Sequence, residues 1–128
     1  METLGVGLTA AEWQVMECLW EHAPRTGREA TDWLEARMGW NRSTTLTLLR
    51  RLAAKGAVVC GTANGVKTFS PGIRREDAAL QETEDFLSRV YHGSVSMMVS
   101  ALTKKQSLSQ EEIDALSALL DGLEAKEP

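Results

Sequence analysis

The sequence predicts a mainly α fold with one small β-hairpin. Three observations carry that expectation. Apolar residues recur at helical spacing along most of the 128 residues. The period switches to that of strands only once, between Ala57 and Phe69. That switch contains Asn64-Gly65, the strongest short hairpin signal, because both central positions of a type I′ turn favour positive φ. The length suits one domain, or a compact domain plus an assembly segment. With 43% hydrophobic and 25% charged residues, the composition is that of a globular protein, and 3 Pro and 10 Gly exclude collagen-like and Pro-rich classes.

Each element follows from local chemistry. Thr9 and Glu12 form a capping box, and Trp13, Met16 and Trp20 repeat at helical spacing with Val15 and Leu19 alongside. These predict a helix over 10–22, ended by Ala23-Pro24, because proline disfavours helical geometry in the residue before it. Thr26 and Glu29 form a second capping box for a helix over 27–37, with Ala30, Trp33 and Leu34 on one face and Gly39 as its end. Asn41 is an N-cap for a third helix running to Lys55, and Gly56 suits its C′ position. Leu48, Leu49 and Leu52, with Thr45, form its apolar stripe, and Ser43, Thr47, Arg50 and Arg51 lie opposite. Ala57–Cys60 and Val66–Phe69 are the two strands of the hairpin, and Pro71 stops the second. Helix, helix, helix, hairpin is the order of a winged helix-turn-helix domain, placed here at residues 1–72.

Residues 73–128 predict a C-terminal three-helix dimerisation segment. Asp77 can cap a helix through Tyr91 with Leu80, Phe86, Leu87 and Val90 on its apolar side, and Gly93 breaks it. Val95–Leu102 carries Met97, Met98, Val99 and Leu102, and Ser109 with Glu112 opens a last helix bearing Ile113, Leu116, Leu119, Leu120 and Leu123. Helices totalling about 45 residues are too few to form a good core alone, since small units leave much apolar area wet. Their stripes need a partner. A second copy would give a closed two-fold dimer, and the alternative is that the segment folds back on its own winged domain. The expected dimer interface comprises Leu80, Phe86, Leu87, Val90, Tyr91, Met98, Val99, Leu102, Ile113, Leu116, Leu119 and Leu120.

The net charge of −4 argues at first against nucleic acid, but the distribution reverses that. Residues 73–128 carry a net −5, whereas Asn41–Lys67 holds five basic residues and no acidic one. A local basic window is the electrostatic footprint of a DNA binder, although a solvated helix face would look the same. A recognition helix directs its N-terminal residues at base edges, which here are Asn41, Arg42, Ser43, Thr44 and Thr47. Arg50 and Arg51 are spaced for phosphates or a guanine edge, and Lys55 and Lys67 add cationic charge. Leu46 is apolar yet off the buried stripe, so it either touches a thymine methyl or packs within the helix-turn-helix.

No catalytic constellation is present. His22 and His92 lack metal-ligand spacing, there is no Gly-rich phosphate loop, and the acidic residues are scattered, so neither enzyme activity nor a cofactor or metal is expected. Cys18 and Cys60 are 42 positions apart, which excludes a disulfide scaffold and leaves each as a small packing residue. The four tryptophans, Trp13, Trp20, Trp33 and Trp40, read as core packing. No apolar stretch approaches the ~20 residues of a membrane span, and Met1–Gly7 has no secretory pattern, so a reduced cytoplasmic protein without membrane insertion is expected.

Residues 8–120 resemble the penicillinase and methicillin-resistance repressor family of winged-helix transcription repressors. The resemblance rests on Ala11-Glu12-Trp13-Gln14-Val15-Met16 with Trp20, and on Trp40 leading into Thr44, Thr47, Leu48, Leu49, Arg51, Leu52 and Lys55-Gly56. It continues through Phe69-Ser70-Pro71, Phe86, Val90-Tyr91, Gly93 and Leu108-Ser109-Gln110-Glu111-Glu112-Ile113. It implies a cytoplasmic homodimer that occupies palindromic double-stranded operator DNA, with Ser43, Thr44, Thr47 and Arg51 reading it. It also implies a membrane sensor with a zinc protease domain as a partner, whose signal leads to cleavage at the bond matching Ala101-Leu102. Copper-responsive relatives carry a C-terminal Cys-rich motif, and no cysteine follows Cys60 here. Other readings are a winged-helix dimer serving as a protein-interaction module, and a repressor released by a small-molecule ligand.

Overall fold

A computed structural model describes residues 7–105 and 107–126. The two capping boxes start the first two helices. In α1 (Ala10–Glu21) the Glu12 N–H donates to Thr9 Oγ1 and the Thr9 N–H donates back to Glu12 Oε1, at 3.1 and 2.9 Å. In α2 (Gly27–Met38) Thr26 and Glu29 repeat the exchange, and Gly39 ends the helix with φ at 73°. Asn41 Oδ1 accepts the Thr44 N–H at 2.9 Å to start α3 (Arg42–Lys55), and Gly56 closes it.

The hairpin comprises β2 (Val58–Ala63) and β3 (Val66–Pro71), paired so that Ala63 stands opposite Val66. Asn64 and Gly65 between them have φ of 53° and 79°, the two positive values the turn requires. The sheet has a third strand that the sequence did not suggest. β1 (Arg25–Thr26) pairs antiparallel with β3, giving the order β1-β3-β2. The chain is already extended at Thr26 to serve as the N-cap of α2, so two residues can pair along β3 without any alternating pattern.

The core of this winged unit lies between the three helices and the sheet. It includes Val15, Met16, Cys18 and Leu19 of α1, Ala30 and Leu34 of α2, Leu48, Leu49 and Leu52 of α3, and Phe69 of β3. Trp20, Trp33 and Trp40 pack against its edge, as the core reading expects, whereas Trp13 does not join it. All four are only half-buried, and in three of them the indole N–H reaches a polar partner. Trp13 donates to Glu17, Trp20 to the Ile73 carbonyl and Trp33 to Glu21. Cys18 is buried as expected. Cys60 instead faces solvent, since only Val58 of β2 turns inward. After β3 the chain passes tightly over the end of α3. The Gly72 N–H donates to the Ala57 carbonyl at 2.7 Å, and a Cβ on Gly72 would lie 2.8 Å from the Gly56 carbonyl oxygen.

The chain divides into two compact units between Thr83 and Glu84, within α4 (Arg75–Tyr91). The compositional boundary lies earlier, at 72/73, because the first half of α4 is tied to the winged unit. Ala78 is buried, Arg75 holds Glu17 through two nitrogens at 3.1 and 2.9 Å, and Glu82 accepts the Leu8 N–H. These ties also start α4 at Arg75, so Asp77 lies in its first turn rather than capping it. The second unit continues with α5 (Val95–Lys104), capped by Ser94, and α6 (Gln110–Lys126), whose Glu112 N–H donates to Ser109. No residue of α5 is buried, and Phe86, Val90, Leu102, Ile113, Leu119, Leu120 and Leu123 are exposed. Leu80, in the winged unit's half of α4, is also exposed. No helix among the described residues is long and apolar enough to cross a membrane.

Candidate nucleic-acid interface

α3 is a two-sided element. Thr45, Leu48, Leu49 and Leu52 are buried, and burial of a leucine contributes about 1.5–3 kcal/mol, so the core holds this helix. Arg42, Ser43, Thr44, Arg50 and Arg51 are exposed on the other side, and Thr47 is half-buried between them. Arg50 also lies 3.4 Å from Thr47 Oγ1, which steadies both side chains. The first turn of α3 has no acidic residue, so the positive end of its dipole is uncompensated by the helix itself.

A shallow hollow of about 330 Å³ adjoins this face, lined by Ala11, Trp40, Ser43, Thr44, Thr47, Leu48 and Arg51. It brings hydroxyls and a guanidinium beside an indole. Sequence reasoning did not associate Ala11 with α3, because it is distant in the chain, and it placed Trp40 directly before α3 but read its ring as core packing. The signal available was the position of Trp40 just before the N-cap.

The cations of the basic window divide into two groups. Arg42, Arg50, Arg51 and Lys67 have no carboxylate partner among the described residues, and Lys67 on β3 stands 5.4 Å from the Phe69 ring centre. Lys55 is already engaged. Its Nζ lies 2.6 Å from Glu12 Oε1 and 3.0 Å from the Gly7 carbonyl oxygen. Leu46 packs against the core, and its Cδ2 lies 3.3 Å from where a Cβ on Gly27 would stand. Of its two open readings, packing is the contact made.

Two carboxylates beside this framework have lowered pKa values. Burial pushes Glu12 up, but the Lys55 ammonium and the Thr9 N–H outweigh it and hold Glu12 below the usual carboxylate range. The Arg75 guanidinium does the same for Glu17, against a smaller effect of burial. Burial pushes the Cys18 thiol up to about 11, which leaves it an inert core group. Among the described residues no group of His, Cys, Asp and Glu could hold a metal ion.

In the second unit, Ala101-Leu102 lies in the last turns of α5. Ala101 is half-buried, Leu102 is exposed, and the Leu102 carbonyl accepts the Ser107 N–H at 3.0 Å. Leu87, Tyr91, Met98, Val99 and Leu116 are half-buried, and Tyr91 packs edge-on against Phe86.

The profile of the Penicillinase repressor family matches residues 8–122. A penicillinase repressor of Bacillus licheniformis is 31% identical over 114 residues, covering 89% of each chain. The methicillin resistance regulatory protein MecI of Mammaliicoccus sciuri is 25% identical over 114 residues, covering 89% of this chain and 93% of the relative. A solution structure of the Bacillus licheniformis BlaI monomeric form in complex with the blaP half-operator superposes with a TM-score of 0.53 at 28% identity, over 60% of this chain and 93% of that one. With the family profile spanning nearly the whole chain, this protein belongs to the Penicillinase repressor family, whose members are winged helix-turn-helix transcription repressors and not enzymes.

Proposed function

We propose that the protein is a cytoplasmic, dimeric, sequence-specific DNA-binding repressor of an operon of the β-lactam-resistance type. The observation that carries this reading is the outward face of α3. A buried leucine stripe fixes the helix from behind, and Arg42, Ser43, Thr44, Thr47, Arg50 and Arg51 stand on the side away from it, clear of any carboxylate partner among the described residues. The match to a BlaI structure solved with a half-operator supports DNA binding. In this reading Ser43, Thr44, Thr47 and Arg51 read base edges, while Arg42, Arg50 and Lys67 take phosphates. Of the other two candidates, Lys55 is held by Glu12 and the Gly7 carbonyl and Leu46 packs against the core, which favours supporting roles for both. The two recognition helices of a dimer would meet major-groove faces about 34 Å apart, or a multiple of that.

The test is a mobility shift with the upstream region of the protein's own operon against random duplex of equal length. The expected preference is about 10³-fold or more, and equal affinity would reject the reading. Arg51→Ala should cost about 1–3 kcal/mol on the operator alone, as expected for loss of a base-edge contact.

Release follows from the need for two subunits. One winged unit makes few contacts, so cutting at Ala101-Leu102 would separate it from α6 and weaken dimer and operator binding together. A membrane sensor protease is the partner this requires. Mass spectrometry of protein from β-lactam-treated cells should find fragments ending at Ala101 and starting at Leu102. An intact chain throughout derepression would rule out proteolytic release and leave the repressor reading standing.

A further inference from the structure

The ion pair between Glu12 and Lys55 joins the start of α1 to the end of α3, across 43 positions of sequence. Its carboxylate side chain is only 2% exposed, deeper than any other ion-paired carboxylate described. The same Glu12 Oε1 accepts the Thr9 N–H at 2.9 Å, so the carboxylate is fixed by its own capping box before it meets Lys55. Lys55 in turn donates to the Gly7 carbonyl, so its ammonium is held at two points. One end of α3 is thus bolted to a rigid helix start, and the other end carries Ser43, Thr44 and Thr47. At about 1.5 Å per residue, 14 residues place these ends roughly 20 Å apart, so a small tilt at Lys55 moves the N-terminal side chains appreciably.

We propose that Glu12 is a positioning residue for DNA reading: by holding Lys55, it sets the angle at which α3 presents its N-terminal face. The proposal rests on the reading of α3 as the DNA-reading helix. It assigns Lys55 to orientation rather than to phosphate contact. The lowered pKa of Glu12 agrees with a carboxylate kept ionised at neutral pH for this purpose.

The experiment uses the full chain carrying Glu12→Gln, Lys55→Gln, or both, each checked by circular dichroism to be fully folded at the assay temperature. Glutamine at position 12 can still accept the Thr9 N–H but carries no charge. Binding is measured over a salt series with the upstream duplex of the protein's own operon and with random duplex of equal length. Amide shifts are recorded by NMR on the free proteins. Positioning predicts that each single variant loses about tenfold on the operator duplex, the scale of a weakened base contact, with random-duplex affinity and salt slope unchanged. The double variant should be no worse than either single, because both remove one interaction. Amides of Thr44 and Thr47 should shift in Glu12→Gln although they lie at the far end of α3.

If Lys55 were a phosphate contact, Lys55→Gln would weaken both duplexes and lower the salt slope by about one, and Glu12→Gln would free the ammonium and tighten both. That pattern overturns the proposal. Amide shifts confined to residues near 7–12 and 52–56 in the folded variants overturn it too. Should the unaltered protein fail to distinguish the two duplexes, the DNA-reading assignment itself fails, and the NMR shifts still decide whether Glu12 orients α3.

Discussion

Glu12 and Glu17 sit five residues apart on α1 and face different partners, and their titration should show in the stability of the winged unit. Glu12 is held below its ordinary range by Lys55 and Thr9 against the penalty of burial, and Glu17 by Arg75. A carboxyl with a depressed folded-state pKa binds fewer protons folded than unfolded through the acid range. The stability it contributes is therefore complete above the unfolded value of 4.5 and is lost as pH falls through the folded value. Urea unfolding should show stability level between about pH 7 and about pH 5, then falling with acid. Lys55→Met should cost about 1–3 kcal/mol at neutral pH, because it leaves the Glu12 carboxylate buried and unpaired. This is less than the roughly 3–5 kcal/mol of a fully buried broken pair, since Lys55 itself is a third exposed. That deficit should shrink in acid as Glu12 accepts a proton. A deficit independent of pH would mean that packing of the lysine stem, not the ion pair, is what the substitution removes.

Among elements, the helices were legible because their starts and stops are local chemistry. Thr9-Glu12, Thr26-Glu29 and Asn41 act within one turn, so α1, α2 and α3 begin where the capping residues predict. Asn64-Gly65 fixes the hairpin within two residues for the same reason. What stayed hidden depends on contacts between distant positions. β1 is two residues long and has no period to read; it exists because β3 offers an edge beside an already extended N-cap. The start of α4 is set by Arg75 clasping Glu17 beside the rings of Trp13 and Trp20, not by Asp77. The candidate DNA face was legible as a stripe of hydroxyls and arginines opposite a stripe of leucines. A charge count could not tell the paired Lys55 from the unpaired Arg42, Arg50 and Arg51, because its carboxylate comes from another helix. Nor could periodicity choose between contact with DNA and packing at Leu46, which depends on the space left by Gly27.

At the scale of the whole molecule, the second unit sets the requirement for assembly. Leu119 and Leu120 of α6 are 67% and 61% exposed, and no residue of α5 is buried. Apolar area left wet in this way stabilises association when a second copy covers it, at about 25 cal/mol per Å² removed from water. A specific dimer needs roughly 1,200–2,000 Å² of total buried surface. Scattered leucines on one helix cannot supply that, but the exposed side chains of α5 and α6 together with Phe86 and Val90 form a candidate surface from each subunit. Introducing charge there opposes burial directly, because an ionised carboxylate in an apolar interface has no partner. Leu119→Glu with Leu120→Glu should therefore yield a folded chain of 14.1 kDa by sedimentation, where the unaltered protein gives twice that mass. Circular dichroism should show the winged unit intact, since its core of Met16, Leu34, Leu49 and Leu52 lies in the other unit. The consequence for binding is specific. Each subunit would present Arg42, Arg50, Arg51 and Lys67, so a monomer displaces half the counterions and the slope of log affinity against log salt should fall by about half on the full operator. Affinity for a half-operator should not change. A variant that sediments as the dimer would move the interface off α6, and a monomer that kept full-operator affinity and slope would show that one winged unit suffices for repression.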